Sequence, residues 1–125
     1  MRDTSTTEKG RAAEDRAERF LLAHGYEILE RNARSSLGEL DVVAAEGGDL
    51  VFVEVRSREV DDRGAAEETV GHAKQRQLAR VAEAFLEERG WRPDSCRFDV
   101  IAINGEEIAL YRDAFRPGLD DVGRL

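Results

Sequence analysis

The residues whose types and spacing best suit chemistry lie in GELDVVAAEGGDLVFVEVRSR, residues 38–58. Gly47-Gly48 is a natural two-residue turn between two strands. With that turn, the numbers of facing residues add to 95, so Asp41 faces Glu54 and Glu39 faces Arg56. A four-residue loop from Glu46 to Asp49 gives the same pairing, and only an odd-length loop or a bulge breaks it. The period of two puts Val51, Val53 and Val55 on one face together with Leu40 and Val42. Glu39, Asp41, Glu54 and Arg56 then share the other face. Two carboxylates directly opposite each other on adjacent strands repel and destabilise the pair. A hard divalent cation with oxygen ligands removes that repulsion, and Mg²⁺ or Mn²⁺ is the expected ion. The plainer alternative is a solvated acidic face, the usual meaning of alternating apolar and charged residues.

Two helical segments supply further candidates. Glu14 lies on a stripe with Gly10, Ala17 and Leu21, at offsets of three, four and seven, and flanks an apolar face. Gly10 is expected to allow a close backbone approach. Lys74 heads the stripe Leu78, Val81 and Phe85 and is expected at the edge of the core. The plainer readings are a flanking surface acid for Glu14 and a snorkelling lysine for Lys74.

These side chains need a scaffold. Ser5 to Glu8 fits a capping box, predicting a helix to about His24 with Gly25 as its stop. Strands are predicted over residues 26–31, 39–44 and 50–58, the last rich in Val and Phe. Residues 59–66 read as an exposed loop. A second helix is predicted from Glu67 or Gly71 to Glu88, ending before Gly90. A fourth strand covers 96–103, Asn104-Gly105 signals a hairpin, and a fifth strand covers 107–111. The order α-β-β-β-α-β-β predicts an α/β fold, a central mixed sheet of about five strands flanked by helices.

A chain of 125 residues with 41% hydrophobic side chains fits one globular domain over residues 1–125, with a loosely held tail over 113–125. The single cysteine, Cys96, cannot form an internal disulfide. There is no apolar run long enough for a bilayer and no export signal in MRDTSTTEKGR, so a cytoplasmic protein with no membrane partner is expected. The net charge of −8 argues against a nucleic-acid coat protein, which would be basic. Residues 26–63 carry ten acids and five bases, a net of −5, so the largest surplus falls on the hairpin segment. A bound cation would reverse the local sign there.

Several motifs together carry a family resemblance: G-x-x-A-E near Gly10, R-N at Arg31-Asn32, GELD at Gly38, FVEVRSR at Phe52, K-x-x-x-L at Lys74 and CRFDV at Cys96. Their series resembles the YraN family of small bacterial proteins over about Lys9 to Phe115. That family is similar to the PD-(D/E)xK nucleases, with a restriction-endonuclease-like fold, and is nearest to Holliday-junction resolvases. The resemblance implies a metal-dependent nuclease acting on DNA, branched or single-stranded DNA included. It implies that Asp41, Glu54, Arg56 and Glu14 are catalytic, and that Asp41, Glu54, Glu14 and Glu39 hold Mg²⁺ or Mn²⁺. Lys74, Arg34 and Arg58 would contact nucleic acid. The implied partner is DNA, with a second copy of the chain as a further candidate.

Two departures from the nuclease pattern stand out. Leu40, not proline, precedes Asp41, and Arg56 stands where the broad pattern has lysine. Arginine keeps its proton near neutral pH, so it can orient a water or stabilise developing charge but cannot act as a base. The alternative function is a non-catalytic nucleic-acid- or partner-binding module that keeps the fold, or a structural partner of a recombination or DNA-uptake machine. Four residues have plainer readings: His72 as a solvated cap, Asp99 as the partner of an arginine such as Arg97, Trp91 as an anchor and Cys96 as a small core residue.

Overall fold

The computed structural model describes residues 4–58 and 70–116, with side chains outside the description at residues 4–9 and at Arg58. The elements are α1 (Thr4–Ala23), β1 (Glu27–Ser35), β2 (Gly38–Glu46), β3 (Asp49–Arg58), α2 (His72–Arg89), β4 (Cys96–Asn104) and β5 (Glu107–Phe115). The expected element order holds, as does the five-stranded mixed sheet with two helices. The sheet runs β1-β2-β3-β4-β5; its neighbours are antiparallel except for the parallel pair β3–β4. That parallel pair is joined across the segment containing α2, as a parallel connection requires.

Each face of the sheet carries its own core. Ala13, Ala17 and Leu21 of α1 pack with Val42, Ala44, Val51, Val53, Ile101 and Ile103. Leu78, Val81, Ala82 and Phe85 of α2 pack with Leu40, Val43, Phe52, Phe98 and Val100 on the other side. The central strand β3 is therefore covered on both faces, which explains its near-continuous apolar run.

Several boundaries differ from the sequence expectation. Helix α1 already includes Thr4, so Ser5 sits inside it and not at a cap. Gly25 does end it: at φ +89 it lets the Tyr26 amide donate back to the Leu21 carbonyl at 3.0 Å. Strand β1 extends to Ser35, past a register shift between Ile28 and Glu30 and past Asn32 at φ +50. The β4–β5 turn is centred on Gly105-Glu106, one residue later than expected, because Asn104 pairs with Glu107. Strand β5 continues through Phe115, whose ring stacks on Phe98 with centroids 5.2 Å apart, so residues 113–115 are not a loose tail. It too shifts register, between Phe98 and Val100, and has Asp113 at φ +53. The expected loop over 59–66, an α2 start at Glu67 and the tail beyond Arg116 lie outside the described residues.

The close backbone approach expected at Gly10 occurs instead at Gly38. Among the described residues Gly10 has no neighbour within 4 Å of where a Cβ would stand, so no close approach is made there. Gly38, the first residue of GELD, has the Val81 Cγ2 only 2.9 Å from that position and a φ of +153. The start of β2 thus lies against α2 with no room for a side chain. Gly38→Ala is expected to destabilise the fold by about 1–3 kcal/mol, through overpacking against Val81. Gly10→Ala, in a helix with open space around it, is expected to stabilise by roughly 0.5–1 kcal/mol. Urea midpoints of the two variants against the parent check both signs; a neutral Gly38→Ala would refute the packing account.

Candidate active site

The β2–β3 hairpin fixes the site. Gly47 and Gly48, at φ +57 and +90, form its two-residue turn, with both central residues in the left-handed region such a turn requires. Paired residues run from Glu46–Asp49 to Val42–Val53, and all of their numbers add to 95 as expected. The next step brings Asp41 to Glu54, and their carboxyls share a hydrogen bond.

The ladder changes at this point. The Val55 amide donates to Asp41 Oδ2 at 2.9 Å, so a side chain accepts at the place where the strand pairing has stopped. Strand β2 leaves the regular alternation here. Leu40 joins the α2-side core, whereas Val42 joins the α1-side core, so the two do not share a face as the simple period of two predicts.

Glu54 is the perturbed group. Its side chain is only 10% exposed. Burial pushes its pKa up to about 7, and the neighbouring Asp41 carboxylate adds to the rise through charge repulsion and the shared hydrogen bond. Lys74 and, more weakly, Arg56 oppose the rise. Arg56 Nη1 lies 3.7 Å from Glu54 Oε2. Lys74, exposed near the start of α2, therefore acts on the same carboxylate from a second element. Asp41, Glu54, Arg56 and Lys74 are thus brought together.

The other expected site residues are placed elsewhere. Glu14 is on α1, which covers the Val51–Val53 face, whereas Glu54 alternates with Phe52 towards α2. The Glu14 carboxylate receives Asn32 Nδ2 at 3.3 Å and lies 3.5 Å from Arg31 Nη2. Arg31 also binds Asp15 at 2.9 Å and Glu18 at 2.7 Å, so it clamps three acids of α1 to β1. Glu39 pairs with the exposed Arg34 at 3.4 Å. Among the described residues no three His, Cys, Asp or Glu side chains converge to hold a metal, so the four-acid set reduces to the pair Asp41–Glu54. The Arg58 side chain lies outside the described residues; its backbone pairs with Asn104.

The plainer readings of Asp99, Trp91 and Cys96 hold; that of His72 as a cap does not, because Gly71 is the N-cap residue of α2 and no side chain caps it. Asp99 is fully buried and takes Arg97 Nε at 2.9 Å, the Tyr26 hydroxyl at 2.7 Å and the Asp113 amide at 2.8 Å. Arg97 also reaches Glu46 and Asp49. Burial and the bond to Asp99 push the Tyr26 phenol up to about 12, so it stays protonated as a donor. Trp91 stacks edge-on against Phe85 at 5.3 Å, His72 is exposed and Cys96 is half-buried against the α2-side core. Sequence reasoning missed Gly38 and Arg31 as the residues that seat β2 on α2 and hold Glu14. The available signal is the glycine of GELD and the arginine of R-N.

Two hard oxygen donors already in contact, one of them buried and reluctant to ionise, match what Mg²⁺ or Mn²⁺ takes from a protein, namely one or two carboxylates. The donor chemistry therefore fits such an ion.

Comparison with known proteins supplies the relatives. The model of a family described as "Uncharacterised protein family UPF0102" matches residues 13–103. A UPF0102 protein of Anaeromyxobacter sp. (strain Fw109-5) is 44% identical over 119 residues, covering 89% of this chain and 90% of its own. One from Symbiobacterium thermophilum is 48% identical over 94 residues, covering 75% and 80%. One from Ralstonia nicotianae is 48% identical over 110 residues, covering 85% of each chain. No described helix is long and apolar enough to cross a membrane.

Glu54 gives the fold a pH dependence of definite sign. Its folded pKa, about 7, stands above the ordinary 4.5, so the folded state holds this proton more tightly. The resulting stability is fully present below the unfolded value and is lost as pH rises through about 7. The expected loss is on the order of 3 kcal/mol between about pH 4.5 and pH 8, relative to Glu54→Gln, which cannot titrate. Urea unfolding of both proteins across that range measures it. Parallel pH profiles would exclude Glu54 as the titrating group.

Proposed function

The chain belongs to the UPF0102 family, and we propose that it is a divalent-metal-dependent nuclease acting on DNA phosphodiesters through the Asp41–Glu54 pair. The observation that carries this reading is the hydrogen-bonded contact of two carboxyls on adjacent strands, one buried and raised to about 7, with two cations beside them. Such an arrangement costs stability in the free protein, and perturbed acids of this kind concentrate at functional sites. The likeness of GELD and FVEVR to the PD-(D/E)xK pattern supports the same chemistry.

Asp41 and Glu54 would hold Mg²⁺ or Mn²⁺, with the rest of its coordination left to water and substrate oxygens. The ion, when bound, would supply Lewis-acid polarisation of the phosphate. The chain's own residues do the rest. The Val55 amide fixes Asp41 Oδ2 and so orients its carboxylate. Burial in the sheet fixes Glu54. Arg56 keeps its proton, orients the attacking water and stabilises the charge that develops on phosphorus-bound oxygens. Lys74 neutralises a substrate phosphate from the helix side. Position 56 offers no neutral amine to take the water's proton, so the site depends on the carboxylate pair and its ion more than a lysine-bearing site would.

One observation favours the alternative of a non-catalytic nucleic-acid-binding module. Only two acids converge among the described residues, with Glu14 held by Arg31 and Asn32. The two readings separate in one set of experiments. Millimolar Mn²⁺ is expected to stabilise the parent by about 1–3 kcal/mol at concentrations well above Kd, read as a rise in Tm. Asp41→Asn relieves the repulsion, so its metal-free form is expected to be at least as stable as the parent while losing the metal shift. Plasmid nicking in Mg²⁺ or Mn²⁺ is expected from the parent and not from Glu54→Gln. An identical metal shift in Asp41→Asn would place the ion elsewhere. A metal shift without nicking would select the binding module.

A further inference from the structure

The register of β3, β4 and β5 carries the row of Glu54 across the sheet. Glu54 pairs with Val100, and Val100 with Tyr111. In the next row on the same face, Arg56 pairs with Ala102, and Ala102 with Ala109. Residues directly opposite each other on neighbouring strands share a face. Val100 belongs to the α2-side core, so Glu54, Tyr111, Arg56, Ala102 and Ala109 all stand on that face. Tyr111 is two strands from Glu54, about 10 Å backbone to backbone at two interstrand spacings.

The two faces of this corner differ. On the α1 side, Ile108 and Leu110 of β5 pack against the core and Arg112 is held by Glu46. On the α2 side, Tyr111 is 39% exposed, Ala109 is exposed and Ala102 is half-buried. Helix α2 makes its closest approach to β1 and β2, at the other margin of the sheet. Tyr111 makes no hydrogen bond, ion pair or ring contact among the described residues. An exposed tyrosine alone is unremarkable. Here, however, two facing alanines stand where strands favour branched and aromatic side chains, and they leave a shallow shelf. Arg56 and the Tyr111 ring occupy opposite corners of it, and Glu54 borders it directly.

Charge divides the shelf. At its β3 end Arg56 and Lys74 act on Glu54. Beyond the alanines the next row, Asn104 paired with Glu107, ends in an exposed acid. A phosphate is therefore favoured at β3 and disfavoured at β5, where an uncharged flat group suits the alanine methyls and the phenol ring. On the nucleic-acid reading given above, but independently of cleavage, we propose that Ala102, Ala109 and Tyr111 seat the nucleobase next to the phosphodiester held at Asp41–Glu54, with its ring stacked on Tyr111. Every base has a flat face, so such stacking is tolerant of sequence. Tyr111 thus fixes where along a strand the phosphodiester sits and does not choose which base lies beside it.

The test uses the full chain carrying Glu54→Gln and two fluorescein-labelled probes read by anisotropy. One is an oligothymidylate; the other has the same sugars and phosphates and no bases. The strand with bases is expected to bind roughly tenfold more tightly. Adding Tyr111→Ala is expected to abolish that preference while leaving the baseless strand unaffected, and Tyr111→Trp to restore it. Ala109→Leu, which fills the shelf at an exposed position and keeps the tyrosine, is expected to lose the preference too. A preference for bases that survives both Tyr111→Ala and Ala109→Leu overturns the shelf. Equal binding of the two strands with Tyr111 intact overturns it as well. A dimer that dissociates in Tyr111→Ala, with the base preference unchanged, gives the shelf to a second copy of the chain and overturns the proposal. Binding of neither strand overturns this inference and the proposed function together. A base preference that depends on Tyr111, with no plasmid nicking by the parent in Mg²⁺ or Mn²⁺, upholds the shelf and refutes only the nuclease.

Discussion

Two glycines and a length of two set the register of the β2–β3 hairpin, and that register forces the Asp41 and Glu54 carboxyls together. A shift of one residue would send every side chain of one strand to the opposite face. The shift is prevented by the apolar pairs behind the acids: Val42 faces Val53, Ala44 faces Val51, and both pairs are buried under α1. The repulsion at Glu54 is thus imposed by packing, and it cannot be relieved by sliding. Relief must come from a proton or a cation.

A comparison within the molecule shows how unusual this is. Asp99 and Asp41 do the same structural task. Each lends a carboxylate oxygen to a backbone amide where a ladder is interrupted: Asp99 to Asp113, Asp41 to Val55. Asp99 is fully buried, but it is neutralised by Arg97 and bonded to Tyr26, and Arg97 is shared in turn with Glu46 and Asp49. That end of the sheet is electrostatically satisfied. At the Asp41 end the inward neighbour is another acid, and the cations Arg56 and Lys74 approach from positions open to solvent. The same backbone device serves structure at one end and leaves an unmet demand for positive charge at the other.

Much of this was legible in the residues. The Gly-Gly turn, the facing of Asp41 and Glu54, the sheet with its doubly covered strand and the glycine stops at Gly25 and Gly90 all follow from local rules of period and turn chemistry. What local rules miss is long-range. Glu14 lies on a helical stripe that suits an inward role, but which face of the sheet α1 covers is decided by tertiary packing, and Arg31 claims Glu14 there. The side switch between Leu40 and Val42 arises because β2 leaves β3 at Asp41, an interruption that alternation cannot announce. The role of Gly38 depends on a helix more than forty residues away, and the extension of β5 to Phe115 on a ring in the neighbouring strand.

The two outer strands carry a consequence for assembly. Each contains a register shift and a non-glycine residue in the left-handed region, Asn32 in β1 and Asp113 in β5. A guest strand laid along either rim would find its amide and carbonyl partners in phase over one half and out of phase over the other. Neither rim therefore offers a long, even template for a further strand.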